Sequence, residues 1–346
     1  MPQEAPGLKT YNDYTVAVVF AMGFEMSAFR YMLDAEHPPL PAKPGDPNLY
    51  IVGNVHGHDI VLACLAGQQG KGAAATVATN MSRTFPRIES RFFVGIGGGV
   101  PSNRHDIRLG DVVISMPEGR HGGVVQYDLG RDGDAGFELK GFLWPPPTRL
   151  RSAVERMRSD HLVQAPKIDE YVSSMVQRSH RLATYARPST PDVLYSNHDP
   201  SQEVPRPARP LQEPAIHYGL IASGDRVIKS AILRDSMVGK LGDVLCFEME
   251  AAGMLSETPA IVIRGVSDYA DSHKNDDWHG FAAATAAACA KELLSYINAQ
   301  VSSTELDQAQ RPDSKGATNE VRGFHGRGVY HSGSGNFNVN GDLTIS

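Results

Sequence analysis

The chain has 346 residues, 41% of them hydrophobic, so it is long enough for one large α/β domain or two small ones. Its net charge of −6 at pH 7 argues against nucleic acid as a partner, because nucleic-acid-binding domains are usually basic. The sequence opens with the polar stretch MPQEAPGLKTYNDY, and its apolar runs fall short of the ~20 residues that a membrane helix needs, so we expect a cytoplasmic protein without a membrane partner.

The predicted elements alternate between strands and helices along residues 14–297. The first half predicts a buried strand, a helix, a hairpin-like strand pair that turns near Gly57, an Ala-rich helix, a strand that runs into a glycine loop, and a further strand: YTVAVVFAM, GFEMSAFRYML, LYIVGNVHGHDIVLACLAG, GKGAAATVATNMSRTF, RFFVGIGGGV and LGDVVISMP. The second half predicts three apolar strands with polar or acidic ends and a long closing helix: HYGLIASGD, DVLCFEMEAAG, PAIVIRGVSDYAD and WHGFAAATAAACAKELLSYI. This alternation is typical of an α/β fold with a mostly parallel sheet, in which ligands bind at the carboxyl ends of the strands.

Two regions depart from the alternation. Residues 187–214 are rich in Pro, Ser and Asp, which predicts an inserted loop. After a first domain over residues 1–300, the chain becomes polar and predicts a linker over residues 301–322. The composition of the Gly- and Asn-rich residues 323–346 favours a plain linker toward a receptor domain, with a short β-structure or a self-associating motif as the alternative.

Signatures of cofactor binding are weak in this sequence. Cys64, Cys246 and Cys289 are far apart in apolar runs, which favours buried free thiols over a disulfide or a metal site. The glycine stretch GIGGGVP, at residues 95–101, matches neither the dinucleotide fingerprint nor the P-loop. We therefore expect neither a metal nor a cofactor.

Acidic residues near the ends of predicted strands are the candidates for chemistry. Glu248 and Glu250 are two residues apart in CFEMEAAG, so an extended backbone would point both carboxylates to one side, where one of them can accept two hydrogen bonds from a ribose diol. Asp268 follows the apolar stretch AIVI, and burial there suits a general acid. Glu25, after the first strand, is a candidate general base. The alternatives are a structural partner for Glu248, a helix N-cap for Asp268, and acids in the first turn of a helix for Glu250 and Glu25.

The order of these motifs resembles the nucleoside phosphorylase/nucleosidase superfamily, of which the bacterial methylthioadenosine nucleosidases are one branch. The resemblance covers residues 14–297 and is carried by AMxxE, GIGGGV with LGDVVIS, IASGD, FEMEAAG and RGVSDYAD. With DIRLGDVV, GGVVQYD and DSHKN, the chain looks still closer to the domain at the N-terminus of many fungal NACHT- and NB-ARC-type receptors, whose relatives include immune effectors that remove adenine from ATP. The resemblance implies a three-layer α-β-α sandwich with a mixed, partly barrel-like sheet, in a homo-oligomer.

The same resemblance implies a role for each candidate carboxylate. Glu25 would activate the attacking water, Asp268 would protonate N7 of the purine, and Glu250 would hold the ribose hydroxyls. The resemblance also places further residues around the substrate, and these are Met249 against the sugar, Val227 and Ile228 beside the base, and Glu248, Gly97, Gly98, Ser267 and Met22 in the lining.

Two departures from the phosphorylase pattern favour water over phosphate as the nucleophile. The segment AMGFEMSAF supplies Glu25 and no arginine before Arg30, and Ile96 stands where phosphorylases carry a hydroxyl residue in the glycine turn. A carboxylate beside a bound phosphate would repel it. We therefore predict a hydrolase, with a phosphorylase and a non-catalytic ligand-sensing module as the alternatives.

Basic loops indicate which 5′ group the substrate carries. The cations that would contact a 5′ phosphate are Arg104, His105, Arg108, Arg120, His121 and Lys274. Basic groups suit a triphosphate, whereas the thioether pockets of the family are apolar. We predict ATP ahead of methylthioadenosine or a plain nucleoside, with solvated surface charge as the alternative interpretation of these loops. A receptor-type protein partner that binds through the tail is a further expectation.

Overall fold

The computed structural model describes residues 9–134 and 136–299, and most of the strands in this part join one ten-stranded sheet. In chain order the sheet contains β1 (Val16–Phe20), β2 (Ala35–Glu36), β3 (Tyr50–Val55), β4 (His58–Cys64), β5 (Ser90–Gly99), β6 (Val112–Ser115), β7 (Val124–Gln126), β10 (Ile216–Ser223), β11 (Val244–Glu248) and β12 (Ile261–Asp268). The remaining strands, β8 (Gly130–Gly133) and β9 (Gly136–Leu139), form a separate antiparallel hairpin.

Helices cover both faces of this sheet. They are α1 (Gly23–Arg30), α2 (Lys71–Thr84), α3 (Thr148–Asp160), α4 (Ile168–Val176), α5 (Ala231–Leu241), α6 (Ala251–Glu257) and α7 (His279–Ser295), with a 3-10 helix at His180–Tyr185. Side chains along β1 alternate between the two faces, so Val16, Val18 and Phe20 pack with α1, α3, α4 and α7, whereas Ala17 and Val19 pack with α2 and α6. The expected three-layer α-β-α sandwich is confirmed.

The central sheet is mixed and partly closed into a barrel. Strands β5, β12, β6, β10 and β11 follow one another around a ring, and antiparallel pairing of β11 with β5 closes it. Parallel pairs predominate elsewhere in the sheet, for instance where β1 lies between β4 and β5. This is the mixed, partly barrel-like sheet that the family resemblance implies.

The predicted glycine loop after β5 is wrong, because the strand continues through Gly99. The glycines allow other chain segments to approach the strand closely. A Cβ atom added at Gly97 would lie 2.5 Å from Cys246 Sγ, and one at Gly98 would lie 2.8 Å from Asp268 Oδ1. Glycine at these positions therefore permits barrel closure and brings Asp268 beside the strand.

The segment 187–214 contains no helix or strand, as predicted for an inserted loop, but it packs against the sheet. Arg209 donates hydrogen bonds to both carboxylate oxygens of Asp111 at 2.7 Å. Arg206 donates to the carbonyl oxygen of Ile107 at 3.1 Å and to the carboxylate of Asp192 at 2.8 Å. Two arginines thus fasten this loop to the start of β6.

Other predictions have mixed outcomes. The hairpin between β3 and β4 is confirmed, with a two-residue turn at His56 and Gly57 that has positive φ at both positions. Sequence reasoning missed α3, α4, α5, α6 and the β8–β9 hairpin, although the buried residues of α3 and α4 recur at helical spacing. The linker at 301–322 and the tail at 323–346 lie outside the described residues. Within the described part, none of the helices is long and apolar enough to cross a membrane.

Candidate active site

A cavity opens at the carboxyl ends of β1, β5, β11 and β12. All the residues that the sequence analysis assigned to catalysis or to substrate binding line it, namely Met22, Glu25, Gly97, Gly98, Val227, Ile228, Glu248, Met249, Glu250, Ser267 and Asp268. The parallel strands β1, β5 and β12 place their carboxyl ends at one edge of the sheet, and the antiparallel pairing of Phe247 with Gly98 brings the end of β11 to the same place. Polar residues that are more than 200 positions apart in the chain therefore meet there. The structure thus brings the predicted catalytic and substrate-binding residues together, and their individual roles remain predictions.

The cavity floor is built on a fully buried arginine, Arg264 of β12. Its guanidinium forms an ion pair with Glu248 and lies 4.2 Å from the centre of the Phe93 ring. Glu248 also accepts hydrogen bonds from the backbone N–H groups of Glu250 and Ala251 at 3.1 and 3.0 Å. Because its oxygens are occupied in this way, Glu248 serves as the structural partner that fixes the start of α6.

Glu250 is buried but less well compensated. Its Oε1 accepts a hydrogen bond from the backbone N–H of Gly70 at 3.2 Å. Burial and, second, the neighbouring Glu248 carboxylate raise the pKa of Glu250 to about 7, although Arg264 partly opposes them. Glu250 occupies the position just before α6 without capping the helix through its side chain, so its carboxyl group is available to the cavity.

Glu25 is the second buried carboxyl group of the cavity with a raised pKa. Burial raises this pKa, while Arg264 and hydrogen bonds from the backbone N–H groups of Ile96 and Met22, both 2.8 Å long, lower it in part. Glu25 lies in the first turn of α1, which is the position that the alternative structural interpretation predicted for it. Its two backbone contacts hold the carboxyl group in one orientation at the cavity wall.

Asp268 ends β12 and has partners on both of its oxygens. Oδ1 accepts a hydrogen bond from the backbone N–H of Ala270 at 2.9 Å, and Oδ2 accepts one from the Ser267 hydroxyl at 2.8 Å and forms an ion pair with Lys274. The helix N-cap interpretation of Asp268 is wrong, since the next helix, α7, begins only at His279. Asp268 is instead a buried acid that faces the cavity.

Asp128 connects two chain segments that border the cavity. It forms an ion pair with Lys71 at 2.6 Å, and it accepts a hydrogen bond from the backbone N–H of Asp225 at 2.9 Å. The backbone N–H of Lys71 in turn donates to Asp225 at 2.9 Å. These contacts join the loop that carries Val227 to the start of α2, where Gly70 contacts the Glu250 carboxylate.

The predicted 5′-phosphate contacts are mostly elsewhere, and this corrects their expected placement. Arg104 and His105 both contact the Asp243 carboxylate, at 2.8 and 3.1 Å, and Arg108 pairs with Asp106. Arg120 and His121 line a separate surface cavity beside Trp144. These five cations thus lie beside local carboxylates or in another surface cavity. Of the predicted phosphate contacts, Lys274 lines the candidate catalytic cavity.

Sequence reasoning missed several residues that line the cavity, and these are Gln69, Arg226, Phe247, Ala270 and His279. Ile96 was singled out in the sequence, but not as a lining residue. Arg264, which orders the carboxylates, was missed as well. Its signal was present, because a lone arginine inside the apolar stretch AIVIRGV needs a buried partner. Gln69 and Arg226 lie in loops without such a pattern. His279 stacks on Phe24, and burial lowers its pKa.

The family model of the phosphorylase superfamily matches residues 15–299, and the chain belongs to this superfamily. It is 39% identical over 298 residues to a nucleotide-binding leucine-rich repeat (NLR)-like protein of Hyaloscypha variabilis, and the match covers 84% of this chain but only 30% of that protein. It is 25% identical over 289 residues to the 5′-methylthioadenosine/S-adenosylhomocysteine nucleosidase of Mycobacterium bovis, covering 81% of this chain and 95% of that enzyme. A shorter match, 35% over 82 residues, joins 22% of this chain to 16% of the ATP nucleosidase Cap17 of Escherichia coli.

The fold has counterparts among solved structures. The crystal structure of the Neisseria meningitidis 5′-methylthioadenosine/S-adenosylhomocysteine nucleosidase, in complex with methylthio-immucillin-A, covers 81% of this chain and 98% of its own, with a TM-score of 0.55 and 22% identity. At that identity the likeness shows the fold alone. The relatives that match most of the chain thus include nucleosidases, and the chain spans about a third of the NLR-like relative.

Proposed function

We propose that this domain hydrolyses the N-glycosidic bond of a purine nucleoside or nucleotide and releases the free base. The observation that carries this proposal is the convergence of Glu25, Glu250 and Asp268 in one cavity of a nucleosidase-like barrel. The bond from C1′ to N9 of the purine breaks, and a bond from C1′ to the oxygen of water forms. The products are the free base and a ribose that carries the original 5′ group.

Glu25 is the proposed base that takes the proton of the attacking water. A base is more effective when its conjugate acid has a pKa close to the working pH, and the raised pKa of Glu25 moves the group in that direction. The backbone N–H groups of Met22 and Ile96 fix the carboxyl group, so that water is held in one position. A bound phosphate in the same place would face a buried carboxylate, which supports hydrolysis over phosphorolysis.

Asp268 and Glu250 act on the substrate itself in this proposal. Asp268 donates a proton to N7, so the purine leaves as a neutral base, and Glu250 accepts hydrogen bonds from the ribose hydroxyls. As positive charge develops on the ribose, the surplus of carboxylates around Arg264 stabilises it. General acid catalysis of this kind contributes a factor of about 10²–10⁴.

We propose ATP as the preferred substrate and adenine as the released base, in an immune-effector role. The match to an ATP nucleosidase, the match to an NLR-like protein and the presence of the cations Arg226 and Lys274 in the cavity support this choice. Methylthioadenosine is the second candidate, because the lining also contains the apolar side chains of Ile96, Phe247 and Met249, which suit a thioether.

A substrate panel tests the proposed activity. The purified protein is incubated with ATP, AMP, adenosine, inosine and methylthioadenosine, with and without phosphate, and free base is measured by chromatography. We expect base release that does not require phosphate, and a loss of about 10²–10⁴-fold in Asp268→Asn. The matched control is Glu118→Gln, an exposed acid outside the cavity. Strict dependence on phosphate, or full activity of Asp268→Asn, would contradict the proposal.

A further inference from the structure

The ion pair between Lys274 and Asp268 lies inside the candidate catalytic cavity. The Lys274 ammonium contacts Oδ2 of the acid, the same oxygen that accepts the hydrogen bond of Ser267. The other oxygen is occupied by the backbone N–H of Ala270. The Lys274 side chain is 24% exposed, whereas that of Asp268 is 4% exposed, and both residues line the cavity.

This arrangement is incompatible with proton donation to a purine. To act as a general acid, Asp268 must carry a proton on one oxygen and direct it at N7. The ammonium of Lys274 has three hydrogens and no lone pair, so it can only donate to Asp268 and competes with that proton. The ion pair must therefore open before the base can be protonated.

The surrounding contacts allow the side chain of Lys274 to move without its backbone. The preceding residue, His273, stacks on Tyr195 with 3.7 Å between ring centres and donates its backbone N–H to Asp271 at 2.9 Å. The backbone N–H of Lys274 approaches the carbonyl oxygen of Asp271 at 3.4 Å. The four-carbon stem of the lysine can thus swing from an anchored loop.

The chemistry of purine nucleotides supplies a second anion within reach. In the anti conformation the 5′ oxygen lies over the C8 edge of the base, next to N7, so a single cation can contact both N7 and the 5′ phosphates. A side chain that stands beside the group facing N7 is therefore also close to the 5′ phosphates. A nucleoside or a thioether offers no anion at this place.

We propose that Lys274 is a specificity switch that responds to the 5′ phosphate, an inference that rests on the proposed function. When a 5′-phosphorylated purine binds, the ammonium leaves Asp268 for the phosphate oxygens, and the freed carboxylate takes up a proton from solvent water and donates it to N7. When a nucleoside binds, the ion pair remains closed and the acid stays blocked. Lys274 forms no covalent bond in this scheme. The protein should therefore prefer nucleotides over nucleosides both because it binds them more tightly and because their kcat is higher.

Substitution of Lys274 tests the switch. We expect Lys274→Met to lower kcat/KM for ATP by at least about tenfold, since a charge-assisted phosphate contact is lost, and to raise kcat for adenosine. Lys274→Arg should retain the preference for ATP. The matched control is Lys240→Met on α5, an exposed lysine outside the cavity, which should leave both substrates unaffected. If Lys274→Met does not fold, as judged by circular dichroism, Lys274→Gln replaces it.

A second experiment uses the unaltered protein. Inorganic pyrophosphate, added together with adenosine, should accelerate adenine release by the wild type, because it draws Lys274 away from Asp268, and should not do so in Lys274→Met. An equal loss of activity on ATP and adenosine in Lys274→Met would overturn the switch and leave the hydrolase proposal in place. A wild-type protein that releases no base from any substrate in the panel would overturn both.

Discussion

Two buried clusters in this molecule both combine carboxylates with an arginine, but the pKa values of their carboxyl groups are shifted in opposite directions. At the start of β6, the single carboxylate of Asp111 receives hydrogen bonds from Arg209 at 2.7 Å and from His217 at 2.9 Å. Burial raises the pKa of Asp111, but the hydrogen bonds from His217 and Arg209 outweigh it, and the net pKa is lowered. In the cavity, three carboxylates share the guanidinium of Arg264, and the pKa values of Glu25 and Glu250 are raised.

This difference in pKa is the one expected between a structural cluster and a candidate active site. Asp111 has more donors than it needs, because the backbone N–H groups of Arg108 and Ala215 also contact it. The cavity cluster has a deficit of positive charge, which costs stability in the empty site and favours a ligand that develops positive charge there. A raised pKa of a buried acid thus marks the functional site better than burial alone.

The largest expected effect comes from removing the shared cation. Arg264→Met should lower the free energy of unfolding by about 3–5 kcal/mol, because it leaves buried carboxylates without their partner. Urea denaturation at pH 7 measures this change. The control is Arg131→Met, which removes an exposed ion pair with Glu138 on the β8–β9 hairpin and should cost less than about 1 kcal/mol. Similar small losses in both variants would show that Arg264 does not order the cluster.

An intermediate effect is expected at the structural cluster. Asp111→Asn should cost about 1.5–3 kcal/mol at pH 7, because hydrogen bonds to a charged acceptor are lost. The pKa of Asp111 is lowered, so its stabilisation is fully present above the unfolded pKa of about 3.9 and disappears as pH falls through the lower folded pKa. The difference in free energy of unfolding between Asp111→Asn and the wild type should become smaller toward pH 3. An exposed control, Asp134→Asn, should show neither the loss nor the narrowing, and a gap that widened in acid would contradict the assignment.

A third expected effect on stability has the opposite sign. The pKa of Glu250 is about 7 in the folded chain and about 4.3 in an unfolded one, so ionisation costs stability as pH rises between these values. Glu250→Gln should therefore match the wild type near pH 4 and exceed its free energy of unfolding by up to about 3–4 kcal/mol at pH 8, while base release falls. Thermal denaturation across this range checks it, with Glu118→Gln as control. A variant that is less stable than wild type at pH 8 would show that Glu250 is a structural group.

Local patterns in the sequence were sufficient for the elements that carry the site. The apolar stretches of β11 and β12 each end in an acid, and Glu25 follows β1 after four residues, so these acids are visible without a structure. The motif order, through the family resemblance, then grouped Glu25, Glu250 and Asp268 correctly into one cavity. The short helices α5 and α6 were missed because they lack a long apolar period, and the glycines of β5 were misinterpreted as a loop because their tight packing partners lie elsewhere in the chain.

By itself the sequence determined the α/β class and the order of the strands that carry the site, because these depend on residues close together in the chain. The family resemblance, rather than any local pattern, selected the carboxylates of the candidate site. Only the tertiary structure decided how the charges are paired. Arg264 with Glu248, and Arg209 with Asp111, join different elements of the fold. Lys274 was predicted as a phosphate contact, and the structure adds its ion pair with Asp268, which the sequence did not indicate. Coulombic energy depends on distance and burial, and both are set when the barrel closes rather than by any local pattern of residues.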